Sequence, residues 1–264
     1  MNTHPLYNAA SCHLSYRLYW TLSLFGKNWD LSADPWLENL KRTTEKDGVR
    51  ILEYRLVNTS TNQFLLSTRP EISPGNAIRS VKGRLQYLVR QQNPRAFKAN
   101  YSIKSVGSAK YDQVEHYLDD QLLHHRMADP TVQEIIAAYQ IDDFSVDLKK
   151  VRRSAHGEYL YNLHLVLVHT ERDREIRKNR LAKTNEGIRH IAQKKGHLLF
   201  KARILSDHIH LMLGCDVKES PVDVGMGYLN NLAFIHGQTL VFESGFYVGT
   251  FGEYDLGAIR KAFF

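Results

Sequence analysis

Apolar and β-favouring residues alternate with polar ones in YRLYWTLSLF (16–25) and again in YLYNLHLVLVH (159–169). A period of two predicts strands with one buried face. After each strand the spacing lengthens to that of a helix, in PWLENLKRTTEKDG (35–48) and in EIRKNRLAKTNEGIRHIAQKKG (175–196). Both stretches end in glycine, a common helix stop. Strand-like runs follow in each case: RILEYRLV and NQFLLS (62–67) in the first half, HLLFKARIL and HIHLML (208–213) in the second. Each half then reads Ser-Pro and an amphipathic stretch, ISPGNAIRSVKGRLQYLVRQQ and ESPVDVGMGYLNNLAFIHGQ, and proline just inside a helix start is favoured. A Tyr-containing strand ending in glycine comes next, NYSIKSVG and FYVGTFG, and then a last helix, KYDQVEHYLDDQ and EYDLGAIRKAFF.

The two halves thus repeat one order of elements, β-α-β-β-α-β-α. Asn62 and His208 are 146 residues apart, Pro74 and Pro221 are 147, and Gly107 and Gly252 are 145. Landmarks in one order at nearly one offset predict an internal duplication. The boundaries expected are a first repeat at 1–121, a linker at 122–155 and a second repeat at 156–264. Within the linker, Asp129-Pro130 breaks the chain and PTVQEIIAAYQ predicts a short helix. The alternation of short strands and helices predicts an α+β fold of two tandem ferredoxin-like repeats. Each would be an antiparallel sheet with helices on one face.

Composition narrows the picture further. Of 264 residues, 43% are hydrophobic and 24% charged, which excludes extended disorder, collagen-like and coiled-coil classes. No apolar run reaches the roughly 18 residues of a membrane helix, and the first residues lack a signal-peptide pattern. With only Cys12 and Cys215, no disulfide framework is expected, so the cytoplasm is the expected compartment. A net charge of +7 and a pI near 9.3 point to a polyanionic partner, nucleic acid first.

His208 and His210 flank Ile209 on a strand, so both imidazoles share one face while Ile209 turns to the other, towards the core. Two neutral imidazoles side by side are competent metal ligands. The whole phrase SDHIHLML resembles the HUH motif of the single-tyrosine transposases, the TnpA proteins of the insertion-sequence 200/605 type and their REP-associated relatives. The first strand, the Ser-Pro helix and the last helix extend that resemblance over most of each half. It implies a ferredoxin-like sheet, two histidines binding Mg²⁺ or Mn²⁺, and single-stranded DNA as substrate, hairpin element ends included.

The family nucleophile is a tyrosine on the last helix, in a phrase like Val-Glu-His-Tyr-Leu-Asp-Asp-Gln at 114–121. The resemblance therefore implies Tyr117 as nucleophile and Gln121 as the third metal ligand beside His208 and His210. The two lie four residues apart, on one helix face. A phenolate that attacks phosphorus would hold one DNA end as a phosphotyrosine ester.

Each half departs from the family pattern in a complementary way. At the position of His-x-His the first half has Asn62-Gln63-Phe64; at the position of Tyr117 the second half has Ala262, 145 residues on. Family members are homodimers in which the histidines of one subunit can be served by the tyrosine helix of the other. One complete composite site is therefore expected (Tyr117 and Gln121 with His208 and His210) and one empty counterpart (Asn62 and Phe64 with Ala262). Arg79, Lys82, Arg84, Arg90, Arg95 and Lys98, interspersed with Tyr87, Phe97 and Tyr101, are the expected DNA-binding residues, because cations suit phosphates and aromatic faces stack on unpaired bases.

The expected activity is metal-dependent cleavage and strand transfer of single-stranded DNA, transposase-like, by a monomeric pseudo-dimer that engages no membrane. The alternatives are an HUH nuclease for DNA processing or replication initiation, and a transposase-derived protein that binds structured DNA without cutting it.

Overall fold

A computed structural model of the protein describes residues 5–26, 36–91, 93–124, 127, 129–172, 174–237 and 241–263. In the first repeat the elements are β1 (His13–Arg17), β2 (Tyr19–Gly26), α1 (Trp36–Lys46), β3 (Val49–Asn58), β4 (Thr61–Thr68), α2 (Pro74–Val89), β5 (Phe97–Val106) and α3 (Tyr111–His124). The connecting segment holds α4 (Pro130–Ala137), β6 (Ile141–Asp142) and β7 (Arg152–Ser154). The second repeat consists of β8 (Gly157–Leu160), β9 (Asn162–His169), α5 (Lys178–Lys195), β10 (Leu198–Ile204), β11 (His208–Gly214), α6 (Pro221–Ile235), β12 (Phe242–Phe251) and α7 (Leu256–Phe263). Among the described residues no helix is long and apolar enough to cross a membrane.

Ser73 and Ser220 cap α2 and α6, each accepting a hydrogen bond from a backbone N–H at 3.2 Å, with proline in the first turn as the sequence predicts. Gly196 ends α5 in the left-handed conformation, at φ 69°.

The strands form two six-stranded sheets, β3-β4-β2-β5-β8-β7 and β1-β12-β9-β11-β10-β6. Four consecutive strands of each, β3-β4-β2-β5 and β10-β11-β9-β12, have the same antiparallel arrangement. With a helix in each crossover, this is the ferredoxin-like βαββαβ order, present twice. The fold is the α+β duplication expected.

The single opening strand expected in each repeat is two strands, broken at Leu18 and at Tyr161. The leading strand of each pair joins the other repeat's sheet. β1 runs parallel to β12, and β8 runs parallel to β5. Sheet membership therefore crosses the expected divisions at 121 and 156, and the connecting segment adds a strand to each sheet: β6 on β10 and β7 on β8. Each exchanged strand covers what would otherwise be an unpaired edge.

The last helices are exchanged as well. The Tyr111 N–H donates to the Gly252 carbonyl at 2.7 Å, and the Leu256 N–H donates to the Gly107 carbonyl at 2.8 Å. Ser105 Oγ donates to the Phe251 carbonyl at 2.7 Å, and Thr250 Oγ1 donates to the Val106 carbonyl at 2.6 Å, a reciprocal tie at the same crossing. A Cβ on Gly107 would strike the Thr250 carbonyl oxygen, and one on Gly252 would strike that of Ser105, so the close approach requires glycine on both sides.

Ile209, Leu211 and Leu213 face the main core, which is continuous between repeats: Trp20 and Tyr161 meet there edge to face, with ring centroids 5.1 Å apart. The opposite face of the second sheet carries Met212 and Phe200, on which Tyr111, Val114 and Leu118 of α3 pack. So two helices of each repeat share one face of its sheet, while α3 lies on the other face of the second sheet.

The pairing registers correct the expected match between the halves. Phe64 pairs with Leu22 and belongs to the core, as Leu211 pairs with Leu165. Asn62 pairs with Leu24 as Ile209 pairs with Leu167. The counterparts of His208 and His210 are therefore Thr61 and Gln63, at the 147-residue offset that also relates Pro74 to Pro221, and not Asn62 and Phe64. In a strand, a slip of one residue exchanges the two faces. Asn62 is buried and accepts a hydrogen bond from Tyr54 Oη at 2.8 Å.

Candidate active site

The exchange of α3 brings the first repeat's tyrosine to the second repeat's histidines. The Tyr117 and His210 rings meet edge to face with centroids 5.6 Å apart, and the His208 and His210 rings are 4.8 Å apart. Tyr117, Gln121, His208 and His210 all line one open cavity of about 610 Å³. Tyr117 is 48% exposed, whereas His208, His210 and Gln121 are buried. An amphipathic helix explains Val114 and Leu118, which pack on the sheet, but not a tyrosine left open to the cavity.

The imidazoles are oriented from behind. His208 Nδ1 lies 2.8 Å from Asp207 Oδ1, and Arg172 Nη1 lies 3.3 Å from the other oxygen of that carboxylate. A carboxylate at Nδ1 fixes the tautomer that keeps the Nε2 lone pair for a ligand. His210 Nδ1 lies 3.0 Å from His164 Nε2, with the two rings stacked. Burial pushes His164 down to about 4, so it is neutral near pH 7 and its Nε2 can accept a hydrogen bond from His210 Nδ1–H. Gln121 Nε2 donates to the carbonyl of Tyr117 at 3.2 Å, back along its own helix.

Among the described residues no group of three His, Cys, Asp or Glu side chains is placed to hold a metal ion. His208, His210 and Gln121, the expected ligands, offer two imidazoles and one amide on the cavity wall. Two oriented neutral nitrogens with a carbonyl oxygen suit a divalent ion that keeps coordination positions for water or substrate oxygens.

α3 is held over this cavity by charge. Lys201 and Arg203, both on β10 and both buried, face Glu115 and Asp119 on α3. Lys201 Nζ lies 2.9 Å from Glu115 and 2.8 Å from Asp119; Arg203 Nη2 lies 2.5 Å from Asp119 and 2.8 Å from Asp142. Burial works against an ionised Asp119, but its hydrogen bonds from Lys201 and Arg203 outweigh that and hold the carboxyl below its usual range.

The counterpart position is built differently. Gln63 accepts from Arg55 Nε at 2.7 Å, and Arg55 also donates to the Ala262 carbonyl on α7. Arg260 lies 3.7 Å from Glu53. Among the described residues that position holds an arginine and an amide, Arg55 and Gln63.

None of the six residues expected to bind DNA lines the cavity. Arg84 forms a two-point ion pair with Asp47, at 2.5 and 2.6 Å, and Lys82 Nζ donates to the carbonyls of Lys98 and Ala99. Arg90 stacks over the Tyr87 ring at 4.0 Å, while Arg79, Arg95 and Lys98 are exposed. The cations that do line the cavity are Arg17 and Arg172, joined by His164 and Tyr247. The sequence places Arg172 in a basic stretch around Arg172–Lys183; sequence reasoning missed Arg17, His164 and Tyr247. His164 had a readable signal, a polar residue alternating with Leu163 and Leu165 on the strand beside the histidine pair. Arg17 had none, because only strand exchange carries it to the second sheet.

The protein resembles three solved structures at low levels. A transposase-assigned protein from Deinococcus radiodurans R1 is 16% identical, with 40% of this chain and 92% of that one covered and a TM-score of 0.31. A protein described as a glycine cleavage system transcriptional repressor is 13% identical over 78% and 86%, with a TM-score of 0.21. A Galdieria sulphuraria protein of unknown function is 8% identical over 88% and 96%, with a TM-score of 0.23. At such scores none of the three bears on fold or function. No curated protein matches the chain. Residues 158–261, which run from β8 into α7 and include both histidines, match the family model described as "Transposase IS200 like". The second repeat of this chain, with its histidine pair, is therefore similar to the IS200-like transposases.

Proposed function

We propose that the protein cleaves and transfers single-stranded DNA through a 5′-phosphotyrosine intermediate, at one composite site. The observation that carries this reading is the Tyr117 ring from the first repeat, 5.6 Å from the His210 ring of the second. Tyr117 is the nucleophile. Its oxygen bonds to the scissile phosphorus as the bond from phosphorus to the 3′ oxygen breaks. The phenolic proton is lost to a base or water, and the departing oxygen gains a proton to become a free 3′-OH. In the second step a 3′-OH attacks the phosphotyrosine, which restores the phosphodiester and the phenol.

His208, His210 and Gln121 would hold Mg²⁺ or Mn²⁺. When bound, such an ion supplies Lewis-acid polarisation of a phosphate oxygen. Asp207 and His164 keep the two imidazoles in the tautomers that binding needs. Arg17 and Arg172, on the cavity wall, meet the charge of neighbouring phosphates.

The counterpart position has Thr61, Gln63 and Ala262 where the live site has His208, His210 and Tyr117, so one chain makes one cut at a time. The test is incubation with single-stranded oligonucleotides from the DNA flanking the gene, in Mn²⁺, followed by a denaturing gel. A covalent protein–DNA band that disappears in Tyr117→Phe and in His208→Ala is expected. A band that persists in Tyr117→Phe rules out this nucleophile, and binding with no band in any variant makes the protein a DNA-binding module.

A further inference from the structure

A second cavity, of about 380 Å³, adjoins the first on the side of the first repeat. Its wall carries Arg17, Arg50, Arg69 and Arg260 against one carboxylate, Glu45. Arg17 also lines the Tyr117 cavity, so the two openings share a cation. We propose that a DNA single strand engaged at Tyr117 continues past Arg17 into this arginine cleft, where its phosphates meet Arg69, Arg50 and Arg260. This inference rests on the reading of the Tyr117 cavity as a single-strand site.

Three observations support it. First, the charge is available. All four arginines are exposed, and among the described residues neither Arg17 nor Arg69 has an ion-pair partner; Arg50 pairs with Glu45 at 2.6 Å and Arg260 only loosely with Glu53 at 3.7 Å. Second, aromatic rings accompany the cations. Tyr16 and Tyr19 lie on the same wall on either side of Arg17, and Tyr16 is 44% exposed. Phosphate-tracking cations interleaved with rings on which bases stack are what an unpaired strand needs, while a duplex offers no free base faces.

Third, the duplication supplies its own comparison. Leu160 pairs with Lys104 as Arg17 pairs with Gly249, and Asn162 opens β9 as Tyr19 opens β2. Leu160 and Asn162 line a cavity whose charges are two lysines, one aspartate and one glutamate, with Lys149 and Asp112 already paired at 2.8 Å. Both places carry tyrosine, but of the two only the one joined to the tyrosine cavity is strongly cationic.

The experiment is fluorescence anisotropy with labelled oligothymidine strands of about 20 and about 6 nucleotides, across a salt series. The wild type should bind the long strand more tightly than the short one. Arg50→Ala/Arg69→Ala should lose roughly tenfold in affinity for the long strand and little for the short one. Its log K against log salt should flatten by about 0.7 for each phosphate contact removed. Glu45→Gln should change affinity in the opposite direction, which a purely structural role would not. Melting curves check that the variants are folded. Equal affinities for the two lengths, or a double variant with the wild-type slope, overturn the cleft. Anisotropy reads binding without cutting, so the cleavage assay can fail while the cleft stands, and the reverse.

Discussion

Lys201 Nζ sits 2.8 Å from both carboxylate oxygens of Asp119, joining a strand of the second repeat to the helix that the first repeat lends it. Asp119 and Glu115, which also reaches Lys201, are two residues either side of Tyr117. The charge cluster that holds the exchanged helix therefore brackets its tyrosine. Removing the buried cation leaves Asp119 and Asp142 on Arg203 and takes the Lys201 ion pair from Glu115. Lys201→Ala should lower stability by about 2–4 kcal/mol in urea unfolding. A loss below about 0.5 kcal/mol, the usual size for a surface change, would show that the cluster is not what anchors α3.

Tyr117 and Tyr111 sit on one helix with opposite burdens. Tyr111 is buried against Phe200 and Phe251, and Tyr117 is open to the cavity. Tyr111→Ala should cost about 3–5 kcal/mol of stability. Tyr117→Phe should stay within about 0.5 kcal/mol of the wild type while losing the covalent DNA product. A large stability loss on removing the Tyr117 hydroxyl would mean that it serves packing.

The metal reading has a readout independent of DNA. Mn²⁺ at about a hundredfold its Kd should stabilise the wild type by about 2.7 kcal/mol, seen as a rise in Tm. The rise should vanish in His208→Ala and in His210→Ala. If it survives in both, any ion binds elsewhere.

Acid stability gives a test away from the cavity. Arg84 and Ser80 hydrogen-bond Asp47 and hold its carboxyl down at about 2. A depressed carboxylate contributes stability that is fully present above its unfolded value, about 3.9, and is lost as pH falls through its folded value. The gap in urea midpoint between the wild type and Asp47→Asn should therefore shrink from about pH 5 to about pH 2. A gap that stays constant would assign the effect of the substitution to packing.

The crossing of the repeats should be sensitive to a single methyl group. Gly107→Ala would press on the Thr250 carbonyl, which is backbone and cannot swing aside. A loss of about 1–3 kcal/mol is expected by thermal unfolding. Gly83, with nothing near its missing Cβ, is the matched control, where alanine in a helix should stabilise by up to about 1 kcal/mol.

Much of this was legible in the residues alone, because local periodicity carries it. Alternation marked the strands, Ser-Pro pairs marked α2 and α6, and a spacing of two put His208 and His210 on one face with Ile209 in the core. The repeat was readable from element order, and with it the ferredoxin-like plan. The register between the copies was not: matching Asn62 to His208 is one residue off, and only the cross-strand partners reveal it. The meeting of Tyr117 with His210 was expected from the family resemblance, but the tertiary structure alone decided that β1 and β8 change sheets and that Arg17 joins two cavities. A side chain's face follows from its neighbours in the chain. The sheet edge that a strand or helix joins depends on which distant edge is left open, and that information is distributed over the whole molecule.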